Sequence, residues 1–304
     1  MDQGGNKKGI GYLLLYAGAY LLALLPFKVL YILSDFLYPI VYYVVGYRKK
    51  LVRKNLKNAF PEKSEKSIVT IEKKFYRHLC DYSVETLKIL HITNEEVRKR
   101  MKFENPEIIN QLITNGKSCI LSLGHYGNWE WVPSIVMYFT QEVEQGFIYK
   151  ELHSATFNRL FLKIRTRFIS KPIEMHNAFR QMIRLQNEGK IMVVGFLADQ
   201  RPSPHQEHYW TTFLNQQTPV QTGMENIARR LGTSVVYLDI EKIKRGYYSG
   251  KFSVITPDAS EETEYTIMER YIRNLEETTM REPAYYLWSH DRWKFQKPEK
   301  EKEK

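Results

Sequence analysis

The sequence predicts an α/β fold, a mixed sheet flanked by helices, with an N-terminal membrane-anchoring helix. Three observations predict it. Short apolar runs alternate with amphipathic stretches of helical period from residue 117 onward, the pattern of a sheet covered by helices. A charge-free stretch of 19 residues, Gly9–Phe27, matches the ~20 residues that cross a bilayer. A glycine-containing corner, Gly124-His125-Tyr126-Gly127-Asn128-Trp129-Glu130, joins one apolar run to the next helical one, which is where α/β folds expose reactive groups.

Taken in order, Gly9–Phe27 is read as the span, the alternative being two interfacial helices with no span. Apolar, Tyr-rich sequence continues from Val29 to Val45, broken by Asp35, and is read as an interfacial helix. Arg48-Lys49-Lys50-Leu51-Val52-Arg53-Lys54-Asn55-Leu56-Lys57 follows as a basic collar, which the positive-inside tendency places on the cytoplasmic side. A helix starts at Ser64, its apolar residues recurring at helical spacing from Ile68 to Leu90. Glu85 and Lys88 within it read as a solvated i,i+3 pair. Strands are expected over 118–123, 145–149, 191–197 and 234–240, and helices over 129–139, 153–169, 177–188, 221–231 and 261–280. The organisation is therefore 1–60, anchor and collar; 61–297, the α/β domain; and 298–304, a disordered Lys-Glu tail.

The chain's 304 residues suffice for one large core, and 43% hydrophobic with 26% charged residues describes a globular protein. Its net charge of +11 asks for an acidic partner: an anionic membrane or an acidic protein. No nucleic-acid-binding motif is present in the sequence, so nucleic acid is the poorest fit. Two cysteines, Cys80 and Cys119, are too few for a disulfide framework. His205 and His208 bracket a loop without supporting metal ligands, so no metal is expected.

His125 and Glu130 lie five residues apart. On one helix they would point about 140° away from each other, so they meet only if the glycine turn bends the chain between them. A histidine oriented by a carboxylate can take a proton from a hydroxyl and survive as an imidazolium. Asn128 sits where an N-cap is expected. Asp199-Gln200 ends the apolar run Ile191–Leu197, at the strand end that faces the ligand crevice in open α/β sheets. His290, Arg292 and Lys294 alternate; if extended, they form one basic row.

Gly-His-Tyr-Gly-Asn-Trp-Glu-Trp at 124–131 resembles the histidine–carboxylate motif of the lipid A biosynthesis late acyltransferases, lauroyl and myristoyl transferases of the lysophospholipid-acyltransferase-like superfamily. The likeness extends over nearly the whole chain. Tyr47-Arg48 with Asn55–Glu62 resembles the family's post-anchor segment, Asp199-Gln200 its second acidic site, and Tyr286–Lys294 its closing motif. Glu130 replaces the commoner Asp, Phe213-Leu214-Asn215 replaces Phe-Phe-Gly, and Asp291 interrupts the last motif.

The resemblance implies a glycerolphosphate-acyltransferase-like sheet and an inner-membrane enzyme. It would move a fatty acyl group from acyl-acyl carrier protein or acyl-CoA to a hydroxyl of a membrane glycolipid, a lipid A precursor. His125 is then the general base and Glu130 its carboxylate, with Asp199 and Asn128 in support and backbone N–H groups near Asn128 holding the oxyanion. Arg159, Arg165, Gln200, His290, Arg292 and Lys294 would bind substrate. No cofactor is implied. The same chemistry on a lysophospholipid or amino-acid lipid stays open, as does a non-catalytic lipid-binding protein of this fold.

Overall fold

The computed structural model of the chain describes residues 3–203 and 209–297, with side chains from Gly9. Four helices come first: α1 (Gln3–Leu24), α2 (Phe27–Pro39), α3 (Lys49–Ala59) and α4 (Glu65–Lys88). The sheet region follows as α5 (Asn94–Arg100), β1 (Met101–Phe103), α6 (Glu107–Thr114), β2 (Cys119–Leu123), β3 (Glu144–Tyr149), α7 (Ala155–Arg165), β4 (Lys171–Glu174), α8 (Ala178–Asn187) and β5 (Met192–Leu197). A separate antiparallel hairpin, β6 (Tyr209–Phe213) with β7 (Gln216–Val220), precedes α9 (Gly223–Leu231), β8 (Ser234–Lys244), β9 (Tyr247–Thr256) and α10 (Thr266–Arg281).

Seven strands form one mixed sheet in the order β1-β9-β8-β2-β5-β3-β4. The β2, β3, β4, β5 and β8 strands run in parallel, and β9 turns back against β8. Every residue of β2 is buried. Such a strand must be apolar on both faces, which is why Cys119-Ile120-Leu121-Ser122-Leu123 reads as a continuous apolar run. Its one polar side chain, Ser122, donates to the Val236 carbonyl at 3.0 Å.

The four expected strands form within about one residue of the expected starts, and β8 runs on to Lys244. Three expectations change. The stretch after the corner, Trp129–Tyr138, is a 3₁₀ run and not an α-helix; Pro133 inside it cannot donate an i→i−4 bond. The apolar N-terminus breaks at Leu25-Pro26, so Gly9–Leu24 falls short of a span. Phe27–Val45, 19 residues with a mean hydropathy of 1.4, is the one helix among the described residues long and apolar enough to cross a membrane. It passes through Pro39 into a π-helical turn at Ile40–Val45. The closing motif is a chain of turns and not a strand: the His290 N–H reaches the Leu287 carbonyl and the Arg292 N–H the His290 carbonyl. The expected tail at 298–304 and the pair His205 and His208 lie outside the described residues.

The first two helices are two-faced. Inward, Ala23, Leu30 and Tyr42 are fully packed, and Ser34 donates to Asp81 and Tyr42 to Glu72, both on α4 and both at 2.7 Å. Outward, Leu13, Leu14, Leu21, Ile32, Phe36 and Val44 stand exposed. Lys88 is buried, and its ammonium donates to the Ala23 and Leu25 carbonyls at 2.7 and 2.8 Å. It caps the C-terminal end of α1, where a cation suits the free carbonyls. The expected solvated pair of Glu85 and Lys88 is therefore two separate buried groups.

Candidate active site

The register of β2 against β5 builds the site. Leu123 pairs with Leu197 as the last residues of two parallel neighbours. Two residues beyond each lie His125 and Asp199, so the chain delivers an imidazole and a carboxylate side by side at the C-terminal edge of the sheet, where open α/β sheets hold their ligands. His125 Nδ1 meets Asp199 Oδ1 at 2.6 Å, and the His125 backbone N–H donates to Asp199 Oδ2 at 3.0 Å. One carboxylate thus fixes both the ring and the backbone that carries it.

The corner needs its glycines. Gly127 has a φ of +60°, and a Cβ there would sit 2.8 Å from Ile240. At Gly124 a Cβ would come within 2.3 Å of the buried Leu275 side chain. The segment that follows α10 lies along the same corner. Leu287 N–H donates to the His125 carbonyl at 3.1 Å and Gly127 N–H to the Tyr285 carbonyl at 3.0 Å.

These bonds define the imidazole's tautomer. An ionised carboxylate can only accept, so Nδ1 carries the proton. Gln200 lies against Nε2 at 3.1 Å, and in a neutral imidazole with its proton on Nδ1 it is Nε2 that holds the lone pair. Burial alone would raise the Asp199 carboxyl, but the His125 imidazole beside it, with its two hydrogen bonds, and the nearby Arg292 hold it below the usual range. Asp199 is therefore ionised at neutral pH. Trp129 stands edge-on to the His125 ring, with centroids 5.1 Å apart.

Glu130 is buried too, but it is held elsewhere. Arg165, at the end of α7, grips it through Nε at 2.9 Å and Nη2 at 2.6 Å, and the Tyr82 hydroxyl lies at 3.4 Å. Among the described residues no hydrogen bond joins Glu130 to His125. The structure brings His125, Asp199 and Gln200 together, and separately Glu130 and Arg165. Asn128 is fully buried and does not cap the 3₁₀ run; its amide nitrogen donates to Glu85 Oε2 at 2.8 Å.

The remaining expected residues divide. Arg159 is exposed and stacks over Tyr12 of α1, 4.0 Å from the ring centre. His290 accepts the Arg201 N–H on Nε2 at 3.0 Å, and burial takes its pKa down to about 4, leaving it neutral. Arg292 is 1% exposed, and none of its guanidinium nitrogens has a hydrogen-bond partner among the described residues. Lys294 is exposed. Arg292 and Lys294 therefore share no common row. No group of three or more His, Cys, Asp or Glu side chains among the described residues is arranged to hold a metal.

Sequence reasoning missed Glu85 and Arg201. Glu85 is completely buried and accepts from Tyr31 at 3.0 Å and from Asn128 and Tyr248 at 2.8 Å each. Its charge, set in a charge-rich helix, disguised it as a surface residue. Arg201 directly follows the recognised Asp199-Gln200 pair, a signal that could have found it.

A comparison with curated proteins finds no match for this chain. A family model, bacterial lipid A biosynthesis acyltransferase, matches residues 7–295. A match over nearly the entire chain, including the His125 corner and the closing motif, places this protein in the bacterial lipid A biosynthesis acyltransferase family.

Proposed function

We propose that this enzyme moves a fatty acyl chain from an acyl thioester, acyl-acyl carrier protein by preference, to a hydroxyl of a lipid A precursor. The single observation that carries the reading is the His125 tautomer. Nδ1–H is locked on Asp199, and the Nε2 lone pair faces Gln200, a side chain that an incoming hydroxyl can displace.

In this reading the acceptor hydroxyl gives its proton to His125 Nε2 as its oxygen attacks the thioester carbonyl. Asp199 stabilises the imidazolium so formed. Backbone N–H groups at the start of the Trp129–Tyr138 run face the oxyanion. When the tetrahedral intermediate collapses, the C–S bond breaks, the thiolate takes the proton from Nε2, and an ester and a free thiol result. Glu130 and Arg165 act as a clamp between the corner and α7. Asn128, tied to Glu85, fixes the corner's backbone. Arg159 stands on the α1 side, where a long acidic partner could reach it.

We place the enzyme at the inner membrane as a single-pass or monotopic protein. The exposed apolar face of α1 and α2 lies in the bilayer and the α/β body faces the cytoplasm, as the collar at 48–57 suggests. Mass spectrometry of envelope lipids from cells lacking this protein tests the acceptor. A lipid A species short of one acyl chain is expected; an unchanged lipid A with an altered phospholipid or amino-acid lipid would redirect the chemistry.

A further inference from the structure

The collar does more than mark a membrane face. At its start, Arg48, Leu51, Arg201, His290, Asp291 and Lys294 wall a cavity of about 380 Å³. A second hollow of about 670 Å³ adjoins it through Arg48 and Leu51 and adds Lys49, Lys50 and Arg53. Three chain segments converge here: the start of α3, the loop after β5 and the closing turns. Arg48 Nη1 donates to the Ser289 carbonyl at 2.9 Å, and Asn55 donates to the carbonyls of Trp288 and His290 at 3.0 and 3.2 Å. The α3 start is thus fastened to the closing motif, which fixes the cavity's shape.

Its charge is unbalanced. Arg48, Arg201 and Lys294 face one acid, Asp291, which stands 3.8 Å from Arg201, and His290 is neutral. Lys294 makes no hydrogen bond or ion pair with the described residues. Arg48 holds a left-handed φ of 50° and leaves the N-terminus of the 11-residue α3 without a side-chain cap. A non-glycine residue held there costs on the order of 1 kcal/mol or more, and the uncapped N–H groups favour an anion.

The cavity adjoins the candidate catalytic residues. Gln200 touches His125 Nε2, and Arg201, the next residue, lines the cavity. It also lies at a polarity boundary. The apolar helix ends at Val45, with Val44 and Val45 both strongly exposed, and the cations begin at Arg48. A lipid lying beside Val44 would present its headgroup at the cavity mouth.

We propose that this cavity is a binding site for a phosphate group of the membrane-embedded acceptor, held by Arg48, Arg201 and Lys294. The proposal rests on the acyl-transfer reading for the word acceptor, but the site itself stands on the cavity and its charges. A membrane source is favoured over the donor's phosphopantetheine because the cavity opens where the apolar helix ends.

The test uses the full chain in dodecyl maltoside micelles doped with dodecyl phosphate, with binding read by ³¹P line broadening. Lys294→Glu should weaken binding at least about tenfold, and Arg201→Ala comparably. Lys54→Glu, the same charge change on α3 outside the cavity, should stay within about twofold. Circular dichroism confirms folding, and Arg48→Lys should keep much of the affinity. Equal weakening by Lys54→Glu would overturn the site in favour of diffuse surface charge. Binding of pantetheine 4′-phosphate but not dodecyl phosphate would overturn the membrane source. Because the readout needs no turnover, a chain that binds dodecyl phosphate in this pattern yet transfers no acyl group would sink the enzymatic reading alone.

Discussion

Two carboxylates beside the Gly124–Glu130 corner are buried alike and held in opposite ways. Asp199 and Glu130 have side chains 2% and 3% exposed. Asp199 faces an imidazole, which can accept a second proton on its free ring nitrogen. Glu130 faces a guanidinium, which never gives up its proton. The first pair can respond to a proton arriving on Nε2; the second ties the corner to the end of α7. The difference shows that a carboxylate's chemistry is set by its partner, and that the partner follows strand register rather than spacing along the chain.

The comparison can be broken most forcefully at its centre. His125→Ala should lower acyl transfer by about 10²–10⁴-fold while the circular dichroism spectrum stays native; wild-type turnover in the purified variant would end the base assignment. Glu130→Gln should act mainly on stability. It leaves the Arg165 charge half-buried without its counter-charge, and breaking such a pair costs about 3–5 kcal/mol. Thermal unfolding should show this, and an unchanged midpoint with lost activity would return Glu130 to the chemistry.

Glu85→Gln sharpens the contrast from behind the corner. Burial pushes the Glu85 carboxyl up, and it accepts hydrogen bonds from three donors. A glutamine supplies one acceptor oxygen in place of two, so we expect a loss of roughly 1–3 kcal/mol and a modest fall in kcat. A change in the pH profile larger than the change in stability would show instead that Glu85 exchanges protons with the site.

Acid should unfold the protein through its neutral histidines. Burial puts His78 well below its ordinary pKa and His290 at about 4. Below pH about 6.5 the unfolded chain takes up protons that the folded one refuses, so stability falls as pH drops. For His290 that decline spans roughly pH 6.5 to 4 and amounts to at most about 3 kcal/mol. A denaturant midpoint that stays flat across that window would contradict the burial of both rings.

Much of this was legible in the sequence. The strands at 118–123 and 191–197 announced themselves because parallel neighbours buried on both faces must be apolar throughout. The Gly-His-Tyr-Gly corner showed the histidine. What sequence could not show was that β5 lies directly beside β2, since pairing between residues 74 apart, as Leu123 and Leu197 are, leaves no local trace. That pairing, and nothing within the motif, sets Asp199 against His125 Nδ1. The β9 strand was missed because it mixes polar residues with Gly250 and buries its residues irregularly. The closing motif looked extended because its charges alternate, yet Trp288, 0% exposed, anchors it as turns and draws Arg292 inside. The break at Pro26 was visible as a residue, but it was outweighed by the apolar run around it.

The most direct test is a pair of double-mutant cycles on the purified enzyme, measured as kcat/KM for acyl transfer. One joins His125→Ala with Asp199→Asn, the other His125→Ala with Glu130→Gln. If His125 and Asp199 act as a unit, Asp199→Asn costs about 10²-fold or more alone and almost nothing further once His125 is gone. Glu130→Gln should cost the same factor in both backgrounds. The reverse pattern, with Asp199 additive and Glu130 non-additive, would contradict the account and restore Glu130 as the partner of His125.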